Sequence, residues 1–499
     1  MRVVSRPSFT MRLFRRWLYG VAAMALGACG MSAPGSSAGA TAAASAASSE
    51  PRGSNGATGQ TGAPGATGPM TADDGRDDHD GRDDRDDRDG GSARMARAKQ
   101  GLAISPVPLS LDGKTGREKM LIGLGSYIVN AASDCAGCHS GPAGFLSGGN
   151  PFFLPGDQRV WTRNLTPDAA TGLALTHDQF IEAIRTGRDF HAGATKMLVV
   201  MPWTTLRWSS DVDLDAIYAY LRAVPAVANE VPPDVKDLLP LPPSIPFDPT
   251  TYTDGDVTRK LKGAHQSFSA RRGLSISPLA LSSGKHGEDE EDHGGRGGRS
   301  VGVGSYIVNA FAHCNDCHTH PDRTADGSKV NTASFLTGGT VFKTPPPLQP
   351  LMKYVRATSA NLEGVTHGFF QVPGVSYARF RDIIRTGTLV DETPPRPLAF
   401  PMSLVAPNLA RLLEDDLRAV FDYAMAVPAT PGASDVPHQA PARWCAAATD
   451  CASGESCTSG ECTGGACNGD LDCGTCQTCG SGSTCQAPAA ASICLLTAQ

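Results

Sequence analysis

Gly125-Ser-Tyr-Ile-Val-Asn130 leads into Cys135-Ala-Gly-Cys138-His139, and Gly304-Ser-Tyr-Ile-Val-Asn309 leads in the same way into Cys314-Asn-Asp-Cys317-His318. A stretch that recurs in the same order marks one structural unit used twice. Matches continue outward from it. Gly101-Leu-Ala-Ile-Ser-Pro106 returns as Gly273-Leu-Ser-Ile-Ser-Pro278, Phe145-Leu-Ser-Gly-Gly149 as Phe335-Leu-Thr-Gly-Gly339, and Ile184-Arg-Thr-Gly187 as Ile384-Arg-Thr-Gly387. Asp213-Leu214 through Ala226 answers to Asp416-Leu417 through Ala429. The periodicity within each copy is helical. Thr176 with Gln179 reads as a capping box, Phe180, Ile181 and Ile184 as an apolar stripe, and Gly187 as a stop. Leu214, Ile217, Tyr218 and Leu221 fall on one helix face before Pro225, and Leu417, Val420, Phe421 and Ala424 repeat the spacing before Pro428. The expected fold class is all-α, with two tandem units. A unit of about a hundred residues with so many loops has a thin core and gains from a large buried apolar group.

The five-residue segment at the head of each copy carries the chemistry. Two cysteines three positions apart lie about one helical turn from each other, so both sulfurs can form thioethers along one porphyrin edge. The adjacent histidine then faces the iron. A disulfide redox motif does not require that histidine and comes with a βαβ pattern missing here; a zinc site wants four ligands at closed spacing. The expected cofactors are two covalently bound haem c groups, on Cys135 and Cys138 and on Cys314 and Cys317, with His139 and His318 as proximal iron ligands. The far face of each iron needs a second ligand, and a thioether favours the reduced state. Met201 lies between the Arg-Thr-Gly helix and the last helix of the first copy, and Met402 holds the equivalent place in the second. An isolated methionine is more often core filling; equivalence across the repeat singles these two out. Met197 competes with Met201, while Met352 and Met425 lack a methionine counterpart.

On these residues each copy resembles a class I cytochrome c domain of the kind found as haem subunits of bacterial alcohol, aldehyde and sugar-acid dehydrogenases. The resemblance covers about Leu121 to Val227 and Val301 to Val427, and rests further on Asn164-Leu-Thr-Pro-Asp168, Arg185-Thr-Gly187, Met201-Pro-Trp203 and Tyr218-Ala-Tyr-Leu221. It implies His139 with Met201, and His318 with Met402, as axial pairs. The second copy departs from the pattern, with Asn361-Leu-Glu-Gly364 in place of Asn-Leu-Thr-Pro and Ser403-Leu404 after Met402. His313, His320 and His367 are the alternative ligands there, and would give an iron of lower potential.

The flanks read differently. Arg12, Arg15 and Arg16 precede the apolar run Trp17 to Leu26, and Leu26-Gly-Ala-Cys29 follows, which resembles a bacterial lipoprotein signal with Cys29 as the lipidated residue. Gly30 after Cys29, rather than Asp, points to the outer membrane. From Met31 to Gln100 there is no aromatic residue, Ile, Leu or Val, so the segment is expected to be a disordered tether. It includes glycine at every third position from Gly53 to Gly68 and a run of ten Asp and four Arg between Asp73 and Asp89. At the other end, ten of the 15 cysteines lie between Cys445 and Cys494. Cys445-x5-Cys451 is echoed by Cys467-x5-Cys473, each with an Asp before the second cysteine, so a small disulfide-rich module of five bridges is expected in an oxidising compartment, with connectivity open.

The organisation expected is a signal at 1–28, tether at 29–100, cytochrome c domain at 101–243, linker and charged loop at 244–297, second cytochrome c domain at 298–430, linker at 431–444, and disulfide module at 445–499. A net charge of −6 excludes a basic nucleic-acid binder, and no second apolar run is long enough to span a bilayer. The function this organisation implies is a single-electron carrier of the bacterial cell envelope, lipid-anchored and facing the periplasm or the exterior. Its partners would be redox proteins: a dehydrogenase, a terminal oxidase or another cytochrome. It would make no bonds itself, since protein ligands would saturate both irons. Two alternatives stay open: a dihaem peroxidase-like enzyme with one five-coordinate iron, and an envelope binding protein acting through the Cys-rich tail.

Overall fold

The computed structural model describes residues 83–235 and 267–464, apart from 155–157, 192–197, 199, 282–295, 321–329, 344–353, 363–375, 390–394, 429–441, 452–453 and 459–460, together with 478–479 and 485–486. The expectations for the signal, for Cys29 and for the tether up to residue 82 lie outside the described residues, as do Met197, Met352 and His367.

In the first repeat, helix α1 (Asp83–Ile104) lies along α2 (Gly116–Tyr127). A π turn (Ile128–Ala132) follows, then the one-turn helix α3 (Cys135–His139), the antiparallel strands β1 (Pro151–Leu154) and β2 (Gln158–Trp161), and helices α4 (His177–Thr186), α5 (Trp203–Leu206) and α6 (Asp211–Ala223). The second repeat runs in parallel: α7 (Ala270–Ile276) on α8 (Arg296–Ala310), α9 (Cys314–His318), β3 (Val341–Lys343), β4 (Tyr354–Thr358), α10 (Tyr377–Thr386), the short pair β5 (Thr388–Leu389) and β6 (Arg396–Pro397), α11 (Met402–Leu409) and α12 (Glu414–Ala426).

The local signals act as expected. Thr176 and Gln179 form the reciprocal capping box, and Gly187 ends α4 in the left-handed region at φ 73°; Gly387 does the same for α10 at φ 67°. The terminal helices cross at a glycine in both repeats. A Cβ on Gly125 would stand 1.8 Å from the Ala216 carbonyl oxygen, and one on Gly304 1.8 Å from that of Ala419, so only glycine allows α2 on α6 and α8 on α12 to touch backbone to backbone. Tyr127, Leu124, Leu214 and Tyr220 are fully buried around the first crossing, Tyr306 and Tyr423 at the second.

The fold is mostly helical, as expected, with a few short strands in each repeat, of which Phe152 on β1 and Phe342 on β3 are buried. Two boundaries differ from expectation. The tether boundary at 100/101 falls inside α1, where Arg97 and Ala98 are buried. Local apolar content missed this because alanine lets the helix approach α2 closely and the arginine is held by residues far along the chain, the Asp416 carboxylate and the Phe268 ring. The linkers at 244–297 and 431–444 likewise contain structure. Helix α7 packs on α8 as α1 packs on α2, and Ala442–Arg443 forms β7, pairing with β4.

The main apolar cluster runs through both repeats, from Ala98 and Leu214 to Tyr306 and Leu417, and smaller clusters around Phe335 and Phe342 lie in the second. The two halves are joined reciprocally. The Tyr127 hydroxyl donates to Asp416 Oδ2 at 2.5 Å and accepts from the Leu413 amide at 2.9 Å. The Tyr306 hydroxyl donates to Asp213 Oδ2 at 2.6 Å and accepts from the Ser210 amide at 2.6 Å. Between them Phe268 packs against Tyr127, Tyr306 and Phe311, with ring centroids 5.9, 5.9 and 5.2 Å apart, and carries the Arg97 guanidinium 4.2 Å above its face.

In the tail, Cys445 pairs with Cys457 and Cys451 with Cys462, an interleaved pattern that binds the β8 (Glu455–Thr458) and β9 (Glu461–Gly464) hairpin to the preceding loop. Asp450 organises that loop by accepting from the Ala446 and Ala447 amides. The pairing of the other six tail cysteines lies outside the described side chains.

Candidate cofactor sites

Each repeat presents two thiols and an imidazole on one turn of helix. In α3 the Asp134 side chain caps the turn by accepting from the Gly137 amide at 3.2 Å. The π turn just before it, closed by the Ser133 amide on the Ile128 carbonyl at 2.8 Å, swings the chain out of α2; the Ala312 amide makes the same bond to Ile307 in the second repeat. Cys135, Cys138, Cys314 and Cys317 are all outside any disulfide. Burial pushes the Cys135 thiol up to about 11 and Cys314 up to about 12, and raises Cys138 further, so these are protonated thiols in apolar surroundings.

The histidines are oriented alike. His139 Nδ1 lies 2.8 Å from the Arg163 carbonyl oxygen and His318 Nδ1 lies 2.7 Å from that of Ala360. A carbonyl only accepts, so Nδ1 carries the proton and Nε2 keeps the lone pair that a metal would use. Burial lowers both imidazoles below the usual range, keeping them neutral. The Phe-Leu-Ser/Thr-Gly-Gly motif folds back over each turn: Gly148 donates to the His139 carbonyl and Gly338 to that of His318, both at 2.7 Å. Asn150 adds bonds to the Cys138 and Ser140 carbonyls at 2.8 and 2.9 Å.

Met201 and Met402 are half-buried against the same core that Cys135 and Ala136 touch. Their local settings differ. In the first repeat Met201 precedes Pro202, the residue that caps α5; in the second Met402 follows the capping Pro401 and is the first residue of the longer α11. His313 adopts φ 37° directly before Cys314, with its Nδ1 3.7 Å from Asp316, and His320 is lowered by burial. The donor set of each repeat, two half-buried thiols, a neutral imidazole with a free Nε2 and a thioether against apolar walls, fits a covalently attached haem. Cys445, Cys451 and Cys462 cluster closely enough for a metal, but their sulfurs are in disulfides.

The histidine-orienting carbonyls were not among the sequence expectations. Their signal was present: Arg163 and Ala360 each immediately precede the Asn-Leu pair that the repeat shares. Asp134 and Asn408, which meet across the repeats, had no such signal.

The architecture is thus that of a mostly helical chain in which a Cys-x-x-Cys-His turn occurs twice. No family model matches the chain. It is 30% identical over 202 residues to the fructose dehydrogenase cytochrome subunit of Gluconobacter japonicus, covering 40% of this chain and 34% of that protein. It is 27% identical over 201 residues to the gluconate 2-dehydrogenase cytochrome c subunit of Pantoea cypripedii, 40% of this chain and 38% of that protein. Over 309 residues, 61% of this chain, it is 25% identical to one subunit of the nicotinate dehydrogenase of Pseudomonas putida, covering 21% of it. The chain spans about a fifth to two fifths of the length of the curated relatives it matches. These distant relatives, cytochrome subunits among them, make it similar to cytochrome c subunits of bacterial dehydrogenases.

Proposed function

We propose that this protein is a dihaem c-type cytochrome that carries single electrons in the bacterial cell envelope, as the haem subunit of a dehydrogenase or a partner of one. The observation that carries the reading is the Cys-x-x-Cys-His turn present twice, each time with the histidine Nδ1 tied to a backbone carbonyl so that Nε2 is left for iron. Cys135 and Cys138, and Cys314 and Cys317, would hold the porphyrins as thioethers; His139 with Met201 and His318 with Met402 would bind the irons. A bound haem supplies a one-electron ferric/ferrous couple. The chain's own residues then fix the imidazole planes through Arg163 and Ala360, keep the histidines neutral, and surround the sites with apolar side chains that exclude water. Donor and acceptor would be redox proteins, a dehydrogenase catalytic subunit first among them, and Cys29 would anchor the chain by lipid to the envelope.

The test is expression in a host equipped for cytochrome maturation, followed by pyridine haemochrome analysis. Two covalent haems per chain are expected, falling to one in Cys135→Ser/Cys138→Ser and in Cys314→Ser/Cys317→Ser; a colourless product sinks the reading.

A second reading, a peroxidase-like enzyme with the second site five-coordinate, draws on the different seating of Met402 beside its proline cap. It requires a high-spin ferric signal and peroxide turnover from the unchanged chain. A wholly low-spin spectrum would dismiss it.

A further inference from the structure

Asn408 lies on α11, six residues after Met402, yet its side chain serves the other repeat. Its Nδ2 donates to Asp134 Oδ1 at 2.5 Å, and Asp134 is the residue directly before Cys135. Arg411 fixes the arrangement: its Nη1 donates to Asn408 Oδ1 and to the Asn130 carbonyl, both at 3.2 Å, which turns the Asn408 amide nitrogen toward the carboxylate. Gly137 makes room, because a Cβ there would stand 2.2 Å from Asp134 Oδ2. The groups facing the carboxylate are the Gly137 amide, the Asn408 amide and the Arg411 charge. Burial raises this carboxyl to about 7, while those three groups pull it down and favour its charged form.

The arrangement is one-sided. By the repeat alignment His313 stands where Asp134 does, and Thr205 where Asn408 does. The first site therefore has a carboxylate held beside it by the second repeat, and the second site has neither member of the pair.

We propose that Asn408, backed by Arg411, is a positioning residue for the first cofactor site: it holds the Asp134 carboxylate beside Cys135 and so lets the second repeat set the one-electron potential of the first. The inference rests on the haem reading above. A carboxylate fixed there stabilises the more positive, oxidised state of the site beside it. No proton or bond need be exchanged for the effect.

The experiment is a redox titration of the full holoprotein at mildly alkaline pH, where the carboxyl is ionised. The two waves are assigned by Met201→His, which moves the first-site wave. Asp134→Asn, which keeps the side chain's shape, is expected to raise the first-site midpoint and leave the second in place. Asn408→Ala is expected to shift the first-site midpoint as well, and to have no further effect once Asp134→Asn is present. An unmoved first-site wave in Asp134→Asn overturns the proposal even if Asn408→Ala does not fold. So does an Asn408→Ala shift of equal size with and without Asp134, or one confined to the second wave. Two covalent haems with unmoved potentials would sink this inference alone, whereas a colourless chain would sink it together with the haem reading.

Discussion

Arg97 and Asp416 stand 319 residues apart in sequence and form a bidentate ion pair, Nε to Oδ2 at 2.8 Å and Nη2 to Oδ1 at 2.5 Å, with side chains only 8% and 2% exposed. Tyr127 completes the shell of the carboxylate. Burial opposes the charge on Arg97, and the attraction of Asp416 more than restores it, leaving the guanidinium above its ordinary value. Removing one partner of a buried pair leaves the other charge without compensation. Arg97→Met is therefore expected to destabilise the chain by about 3–5 kcal/mol in denaturant titration. A loss under about 1 kcal/mol, the range of exposed pairs, would show that water already reaches the site.

Between elements, α4 and α6 of the first repeat are fastened by His177, whose Nε2 lies 2.8 Å from Asp215 while its Nδ1 lies 3.2 Å from Asp178. Its ring also meets Tyr218 edge-on at 5.3 Å. Burial is the largest single influence and lowers the imidazole, but hydrogen bonds and charge from Asp215 and Asp178 together outweigh it and leave the group raised. A raised folded value means the contact stabilises fully below the unfolded value of about 6.5 and fades as pH rises through the folded one. The melting-temperature gap between the unchanged chain and His177→Ala should accordingly be wider near pH ~5.5 than near pH ~8.5. A gap independent of pH would assign the effect of His177 to packing on Tyr218. The capping box and glycine stop of α4 were legible in the sequence because they are local; the pairing of β4 with β7 was not, since its partners lie far apart along the chain.

At the scale of the whole molecule, the reciprocal Tyr127–Asp416 and Tyr306–Asp213 contacts and the continuous core make the two repeats one packed body. They are expected to unfold together. Calorimetry should give one cooperative transition whose calorimetric and van't Hoff enthalpies agree; two resolved transitions would mean the inter-repeat contacts are too weak to couple them. The same packing explains how a helix-bearing residue such as Asn408 can reach a site in the other half of the chain.

The sequence by itself determined the repeat, the two histidine-headed thiol turns, the helix caps and the methionines as paired candidates, because each of these is written in spacing along the chain. Only the tertiary structure decided that α1 folds back as part of the molecule, that Arg163 and Ala360 orient the histidines, that the prolines beside Met201 and Met402 stand at helix N-caps, and that Asp134 is held from the second repeat. The physical reason is range. Helix periodicity and ligand spacing act over one or two turns, whereas a buried charge or a carbonyl acceptor is stabilised by whatever the fold brings to it, and that partner leaves no mark on the residues nearby.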